Sequence, residues 1–231
     1  LLAQPASLAR RTRPLMFLTA AASSLARGVA IAPPAERVAL GARTLRVSEG
    51  NADTIDSGAR IWDSGRALSG LLRDQLADAD TSDVRVLELG AGTGIGGLTA
   101  AALGATTLLS DQPELLPLLD SNIDANSLRS HAAATQLMWG DASDAERVGA
   151  SGPFDLIIGS DLLYAPQSFP LLLETLTELS VPGATEVLFT FPTRYTEGIF
   201  IEQAADADFE TIEDVTEVDV NVWSLRLRLR D

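Results

Sequence analysis

Hydrophobic and polar positions along this chain repeat in two alternating rhythms. Short apolar runs bounded by turns read as strands buried on both faces. They are Val84 to Leu89, Ala105 to Leu109, Ala134 to Trp139, Phe154 to Gly159 and Glu186 to Phe191. Between them, apolar positions fall three to four apart, as on amphipathic helices. Leu68, Leu71, Leu72 and Leu76 make one such face, and Leu115, Leu116, Leu119 and Ile123 another. Alanine-rich 98–103 is helix-favouring and closes at Gly104. Pro113 starts the helix after the second strand, and Pro117 puts its regular part at about residue 117. Further helices are expected over 169–179 and 195–205. Val38 to Val47 reads as a strand or hairpin at the domain edge. Phe209 to Val215 and Val218 to Leu229 read as a closing antiparallel hairpin. In its last strand Val218, Val220 and Val222 share one parity and Leu225, Leu227 and Leu229 the other, which predicts a β-bulge near Trp223-Ser224.

The chemistry concentrates around the first of the five strands. Gly90, Gly92 and Gly94 remove three side chains from one turn, where the backbone needs positive φ or close approach to a ligand. Asp111 stands at the end of the next strand. An acid about 20 residues beyond a glycine turn is placed to grip a ribose diol. Gly92, Gly94 and Gly97 satisfy the dinucleotide pattern G-x-G-x-x-G. Glu88 to Gly94, ELGAGTG, instead resembles motif I of S-adenosylmethionine-dependent methyltransferases, in which an acid stands two residues before the first glycine.

Two later stretches add to the site. Trp139, at the end of a strand, is placed either to stack on an adenine or to fill the core. Ser160-Asp161-Leu162-Leu163-Tyr164 follows the apolar run 154–159. A carboxylate embedded in apolar sequence is costly to bury without a partner. Asp161 is therefore the leading catalytic candidate, with Tyr164 three residues on. The plainer alternative is that Asp161 caps the following helix. Trp62, before the leucine helix, reads from position alone as a core plug.

Composition narrows the classes. The chain has 231 residues and no cysteine, so disulfides and thiolate metal sites are excluded. His131 is the sole histidine, and all 17 basic residues are arginine. A net charge of −15 argues against a nucleic-acid backbone as partner. Residues 1–50 carry +5 and the remainder −20. That acidic body suits a lysine- or arginine-rich protein segment, or serves solubility. Residues 1–35 are rich in Ala, Ser, Leu and Arg, with Glu36 the first acid. Their composition is that of an organelle transit segment, for the chloroplast or another organelle, or of a helical extension of a cytoplasmic protein. Their apolar runs are too short and interrupted to span a membrane. Ala32-Pro33-Pro34 reads as a linker. The expected division is an extension over 1–44 and one domain over 45–231.

Taken together, these motifs resemble the lysine methyltransferase family 16, the seven-β-strand protein-lysine methyltransferases. The resemblance covers about residues 45–231. Ile61-Trp62-Asp63 with its leucine helix, Glu88 to Gly94, Ser110-Asp111 with Leu119, Asn122 and Asn126, Leu137 to Gly140, Asp161-Leu162-Leu163-Tyr164, and Arg194 after the fifth strand follow the family's order. The resemblance implies an α/β fold: a Rossmann-like, seven-stranded, mostly parallel sheet with a C-terminal antiparallel hairpin and helices on both faces. It implies S-adenosylmethionine as cofactor and an exposed lysine of a protein as substrate. By resemblance Glu88, Gly90, Gly92 and Gly94 shape the methionine pocket, and Asp111 binds the ribose. Trp139 covers the adenine, Trp62 closes the site near the sulfonium, and Ser160 lies beside the methyl. Asp161 and Tyr164 face the nucleophile. Two other enzymes stay open: a small-molecule methyltransferase of this fold, and an NAD(P)-dependent oxidoreductase. The latter lacks a Tyr-x-x-x-Lys pair, since the chain has no lysine.

Overall fold

The computed structural model describes residues 36–41, 43–50 and 57–231. Residues 1–35, with the transit reading and the Ala32-Pro33-Pro34 linker, lie outside the described residues. Two strands, β1 (Glu36–Leu40) and β2 (Arg43–Val47), form a separate antiparallel hairpin. The hairpin crosses the expected boundary between residues 44 and 45.

The body alternates strand and helix. It runs α1 (Asp63–Leu76), β3 (Arg85–Glu88), α2 (Ile95–Ala102), β4 (Thr106–Asp111), α3 (Leu116–Ala125), β5 (Ala132–Gln136), α4 (Ala142–Gly149) and β6 (Leu156–Ser160). It continues with α5 (Phe169–Leu179), β7 (Glu186–Pro192), α6 (Glu197–Asp206), β8 (Phe209–Asp219) and β9 (Val222–Leu229). The seven-stranded sheet has the order β5-β4-β3-β6-β7-β9-β8. Its first five strands are parallel, and β9 joins antiparallel between β7 and β8. This is the expected architecture.

Both sheet faces are covered, as the continuous apolar strands require. Leu68 and Leu72 of α1 and Ala100 of α2 pack with Val86, Ile158 and Leu188 on one face. On the same side, Ile95, Leu98, Leu119 and Ile123 pack with Leu40, Leu45 and Val47 of the hairpin. Val148 of α4, Leu172 and Leu176 of α5 and Phe200 of α6 fill the other face against Leu87, Ile157 and Phe189. Phe200 meets the ring of Phe169 edge-on at 5.3 Å, a favoured aromatic geometry.

Two expectations need correction, and one helix was not expected. The third strand of the parallel set spans 132–136, not 134–139: Met138 and Trp139 leave the ladder for a loop. Helix α4 is not among the expected elements: in eight residues only Ala145 and Val148 make its buried apolar side, and it starts where Asp141 caps it, accepting the Asp144 N–H at 3.0 Å. The irregularity expected near Trp223-Ser224 is there, but on the partner strand, not on β9. β9 pairs with β7 in unbroken register, and the extra residues lie on β8, as between Glu217 and Asp219 opposite Trp223 and Val222. The buried positions change face along β9. Ser224 lies opposite Thr190, whose hydroxyl donates to the Ser64 carbonyl of α1. Leu225, Leu227 and Leu229 join the α5–α6 side.

Candidate active site

β3 and β6 are neighbours from which the chain runs outward in opposite directions along the sheet. A crevice opens at the carboxyl ends of strands at such a switch point. Here it is a cavity of about 680 Å³, within the range of ligand sites.

The turn after β3 forms one wall. Gly90, Gly92 and Gly94 have φ of 54°, 56° and 79°, a region side chains seldom adopt. Space excludes a side chain as well. A Cβ on Gly92 would collide with the Gly58 carbonyl oxygen, and one on Gly90 would come 2.7 Å from Leu162. The glycines therefore let the turn lie against neighbouring protein segments as much as against any ligand. Asn122, fully buried on α3, ties the turn to the hairpin. Its amide donates to the Thr93 carbonyl at 2.9 Å and the Ser48 carbonyl at 3.0 Å, and its oxygen accepts from the Ser48 N–H at 3.0 Å.

Asp111 closes β4 and is 7% exposed. Its Oδ2 accepts from the Gly92 N–H at 2.6 Å and its Oδ1 from the Gln112 N–H at 2.7 Å. Each oxygen keeps a lone pair for a further donor. Burial raises its pKa against those hydrogen bonds.

Glu88 sits differently from the other candidates. It is 1% exposed and lies behind the turn, outside the cavity lining. Its carboxyl accepts the Gly97 N–H at 2.9 Å and also the Gly96 N–H, in the first turn of α2. Those amides are among the free N–H groups at the start of a helix, and here a buried side chain satisfies them behind the turn. Burial, with the neighbouring Asp111 charge, pushes the Glu88 pKa up to about 8. The native state thus keeps a proton through the interval from about pH 4.5 to about pH 8, where the unfolded chain has lost it. Stability from this group is fully present below pH 4.5 and is lost as pH rises to 8. Chemical denaturation across that interval should show stability falling with pH. Glu88→Gln should make the slope shallower without abolishing it, because Asp111 is raised for the same reason. An unchanged slope would refute the assignment.

The opposite wall comes from β6 and α1. Ser160 ends β6, and its Oγ would lie 3.5 Å from a Cβ on Gly65 at the start of α1. Trp62 immediately precedes α1 and lines the cavity, 44% exposed, at its mouth rather than in the core. Trp139 lines the cavity near Gly90 and also packs on the core behind it. Tyr164 is 62% exposed on the rim.

Asp161 follows Ser160 with φ of 59°, a strained conformation that aspartate tolerates better than most residues. Its N–H donates to the Thr190 carbonyl of β7 at 2.8 Å. It does not open a helix: α5 begins eight residues later, preceded by Ser168. Its side chain is only 10% exposed, and Arg194 Nη1 and Nη2 reach Oδ1 and Oδ2.

Eight of the ten candidate positions thus share one cavity: Trp62, Gly90, Gly92, Asp111, Trp139, Ser160, Asp161 and Tyr164. Glu88 and Gly94 stand behind it. Arg60, Ile61, Gln112, Glu114 and Met138 also line the cavity. Sequence reasoning did not select them for a role. Arg60 and Ile61 adjoin Trp62, and Gln112 adjoins Asp111, so adjacency was the available signal. The acidity of the chain as a whole does not concentrate here. Asp111, Glu114 and Asp161 share the cavity with Arg60 and Arg194.

Comparison with known proteins agrees with this geometry. Residues 40–211 match the family described as Lysine methyltransferase. The zebrafish (Danio rerio) protein N-lysine methyltransferase METTL21A is 38% identical over 59% of this chain and 62% of its own length. The mouse (Mus musculus) EEF1A lysine methyltransferase 3 is 33% identical over 61% of this chain and 59% of its own length. The match thus spans about three fifths of each relative. The crystal structure of a SAM-dependent methyltransferase from Agrobacterium tumefaciens superposes with a TM-score of 0.56 at 17% identity, covering 84% of this chain and 70% of that one. That likeness concerns the fold alone.

Proposed function

The chain belongs to the lysine methyltransferase family, and from that premise we propose that it transfers a methyl group from S-adenosylmethionine to a lysine side chain of a protein. One observation carries the proposal: Asp111, the glycine turn and Asp161 open into a single cavity at the switch point of the sheet. The chain has no lysine for a Tyr-x-x-x-Lys pair, which weighs against the oxidoreductase alternative.

The residues present fit the nucleoside part of such a cofactor. Asp111 offers buried carboxylate lone pairs to a ribose diol, while Met138 and Trp139 offer an apolar wall to a base. Ser160 and Trp62 flank the end of the cavity that holds Asp161. When bound, the cofactor supplies a methyl on a sulfonium, electrophilic as it stands.

The chain's own part is to position and desolvate the nucleophile. A lysine amine has a reference pKa of about 10.4 and must be neutral to attack. Asp161 accepts hydrogen bonds from the amine and orients its lone pair inward. The surplus proton leaves to water at the open mouth. Trp62, Met138, Tyr164 and Leu171 are all exposed cavity-lining residues, 40–62% accessible. An open rim of aromatic and apolar groups suits a side chain presented by a protein better than an enclosed metabolite.

Calorimetric titration of the full chain with S-adenosylhomocysteine, with NADH in parallel, tests the cofactor. Micromolar binding of the first alone is expected; binding of NADH alone would overturn the reading. Labelled methyl transfer tests the acceptor. EEF1A, which the mouse relative is named for, is the first protein to offer, with methyl-lysine identified by mass spectrometry.

A further inference from the structure

We propose that Arg194 is a resident cation: its guanidinium holds the place on Asp161 that the substrate's ammonium takes, and gives it up when the lysine enters. The inference rests on the lysine-transfer reading and adds to it a residue that sets substrate selection.

A carboxylate as buried as Asp161 is costly without a positive partner. Arg194 supplies one, contacting both oxygens from the link after the neighbouring strand β7. The two partners are held very differently. Asp161 is fixed by its backbone, through the left-handed conformation after β6 and the N–H bond to Thr190. Arg194 stands on the short 193–196 link between β7 and α6, and its side chain is 36% exposed. The link itself is pinned at Thr196, whose hydroxyl donates to the Leu163 carbonyl. The Arg194 side chain, by contrast, has a flexible stem with solvent on one side. When the pair opens, the guanidinium moves and the carboxylate stays.

Electrostatics then selects the entrant. The closed pair is neutral, so Asp161 exerts little long-range pull on a distant cation. A neutral side chain that displaced Arg194 would leave the buried carboxylate uncompensated. An ammonium replaces charge with charge. Two cations cannot share the site cheaply, because like charges within a few ångströms repel strongly in a partly dry cavity. The exchange therefore favours an alkylammonium over an alcohol or amide of the same length.

The test uses n-butylammonium chloride as a lysine-tip probe on the full chain, with binding followed by NMR. Arg194→Gln should bind the probe about tenfold more tightly than the unsubstituted protein, because the seat is free. Arg194→Lys should fall between them, since a lysine ammonium holds a carboxylate without the bidentate fork. The probe should raise the melting temperature of Arg194→Gln. It should fail to do so in the Asp161→Asn/Arg194→Gln double variant. Equal affinity in all forms, tighter binding to the unsubstituted protein, or no binding to Arg194→Gln would each overturn the inference. Where Arg194→Gln does not fold, Arg194→Lys decides: gain supports the exchange, and no gain overturns it. S-adenosylhomocysteine binding by the unsubstituted protein is scored separately. Its loss sinks the methyltransferase reading, whereas equal probe affinities with that binding intact sink this inference alone.

Discussion

Asp111→Ala should weaken S-adenosylhomocysteine binding by two orders of magnitude or more, on the order of 3–5 kcal/mol. That follows from two charge-assisted hydrogen bonds, each worth about 1.5–3 kcal/mol. The carboxylate works in two directions at once. It holds the glycine turn through the Gly92 N–H and the chain beyond β4 through the Gln112 N–H. The residue also lines the cavity. Asp111→Asn keeps one acceptor for Gly92 and should recover part of the loss. Because burial already raises the pKa of Asp111, removing its charge relieves desolvation. The melting temperature should therefore fall less than the affinity. Calorimetry on the two variants, with thermal unfolding alongside, separates these effects. An unchanged dissociation constant in Asp111→Ala would remove the ribose assignment.

Asp161→Asn should lower kcat for methyl transfer by about 10²–10⁴, the range for losing a positioned acid–base or charge-stabilising group. S-adenosylhomocysteine affinity should stay within about threefold of the original, since the group is assigned to the nucleophile and not to the nucleoside. Asparagine is the right replacement because it tolerates the left-handed backbone that Asp161 adopts. Alanine there adds strain of about 1–3 kcal/mol and confounds folding with chemistry. The unpaired Arg194 left behind is one-third exposed and can turn to water. Full activity in Asp161→Asn would show that the carboxylate is structural. Equal loss of transfer and of cofactor binding would place it among the cofactor ligands.

Much of the architecture was legible along the chain because its signals are local. A strand buried on both faces must be apolar at successive positions, as Leu87, Ile157 and Val187 are. A helix on a sheet must repeat every three to four residues, as Leu68 and Leu72 do. A tight turn with positive φ calls for glycine, which exposes Gly90, Gly92 and Gly94. Boundaries were harder where the signal was shared. Met138 and Trp139 are apolar enough for a strand, yet they belong to a cavity wall. Helix α4 has only eight residues, too few for its Ala145–Val148 spacing to repeat, and its Asp141 cap is the better marker. The last strand misled for a general reason: alternation reports which face is covered, and β9 is covered on one face at one end and on the other face further along.

The sequence by itself therefore determined the order of the strands and of every helix but α4, the glycine turn, the acids at the ends of two strands, and the family resemblance. Each depends on residues close in the chain or on a fixed spacing. Only the tertiary structure decided what those groups do to one another. It set Glu88 on the amides of Gly96 and Gly97 at the start of α2, where burial keeps its proton. It bridged Ser48 and Thr93 through Asn122, across 74 and 29 positions. It laid Arg194 on Asp161 across 33 positions. Such contacts form because a buried polar group must find a partner wherever the fold brings one within reach. Distance along the chain carries no record of that choice.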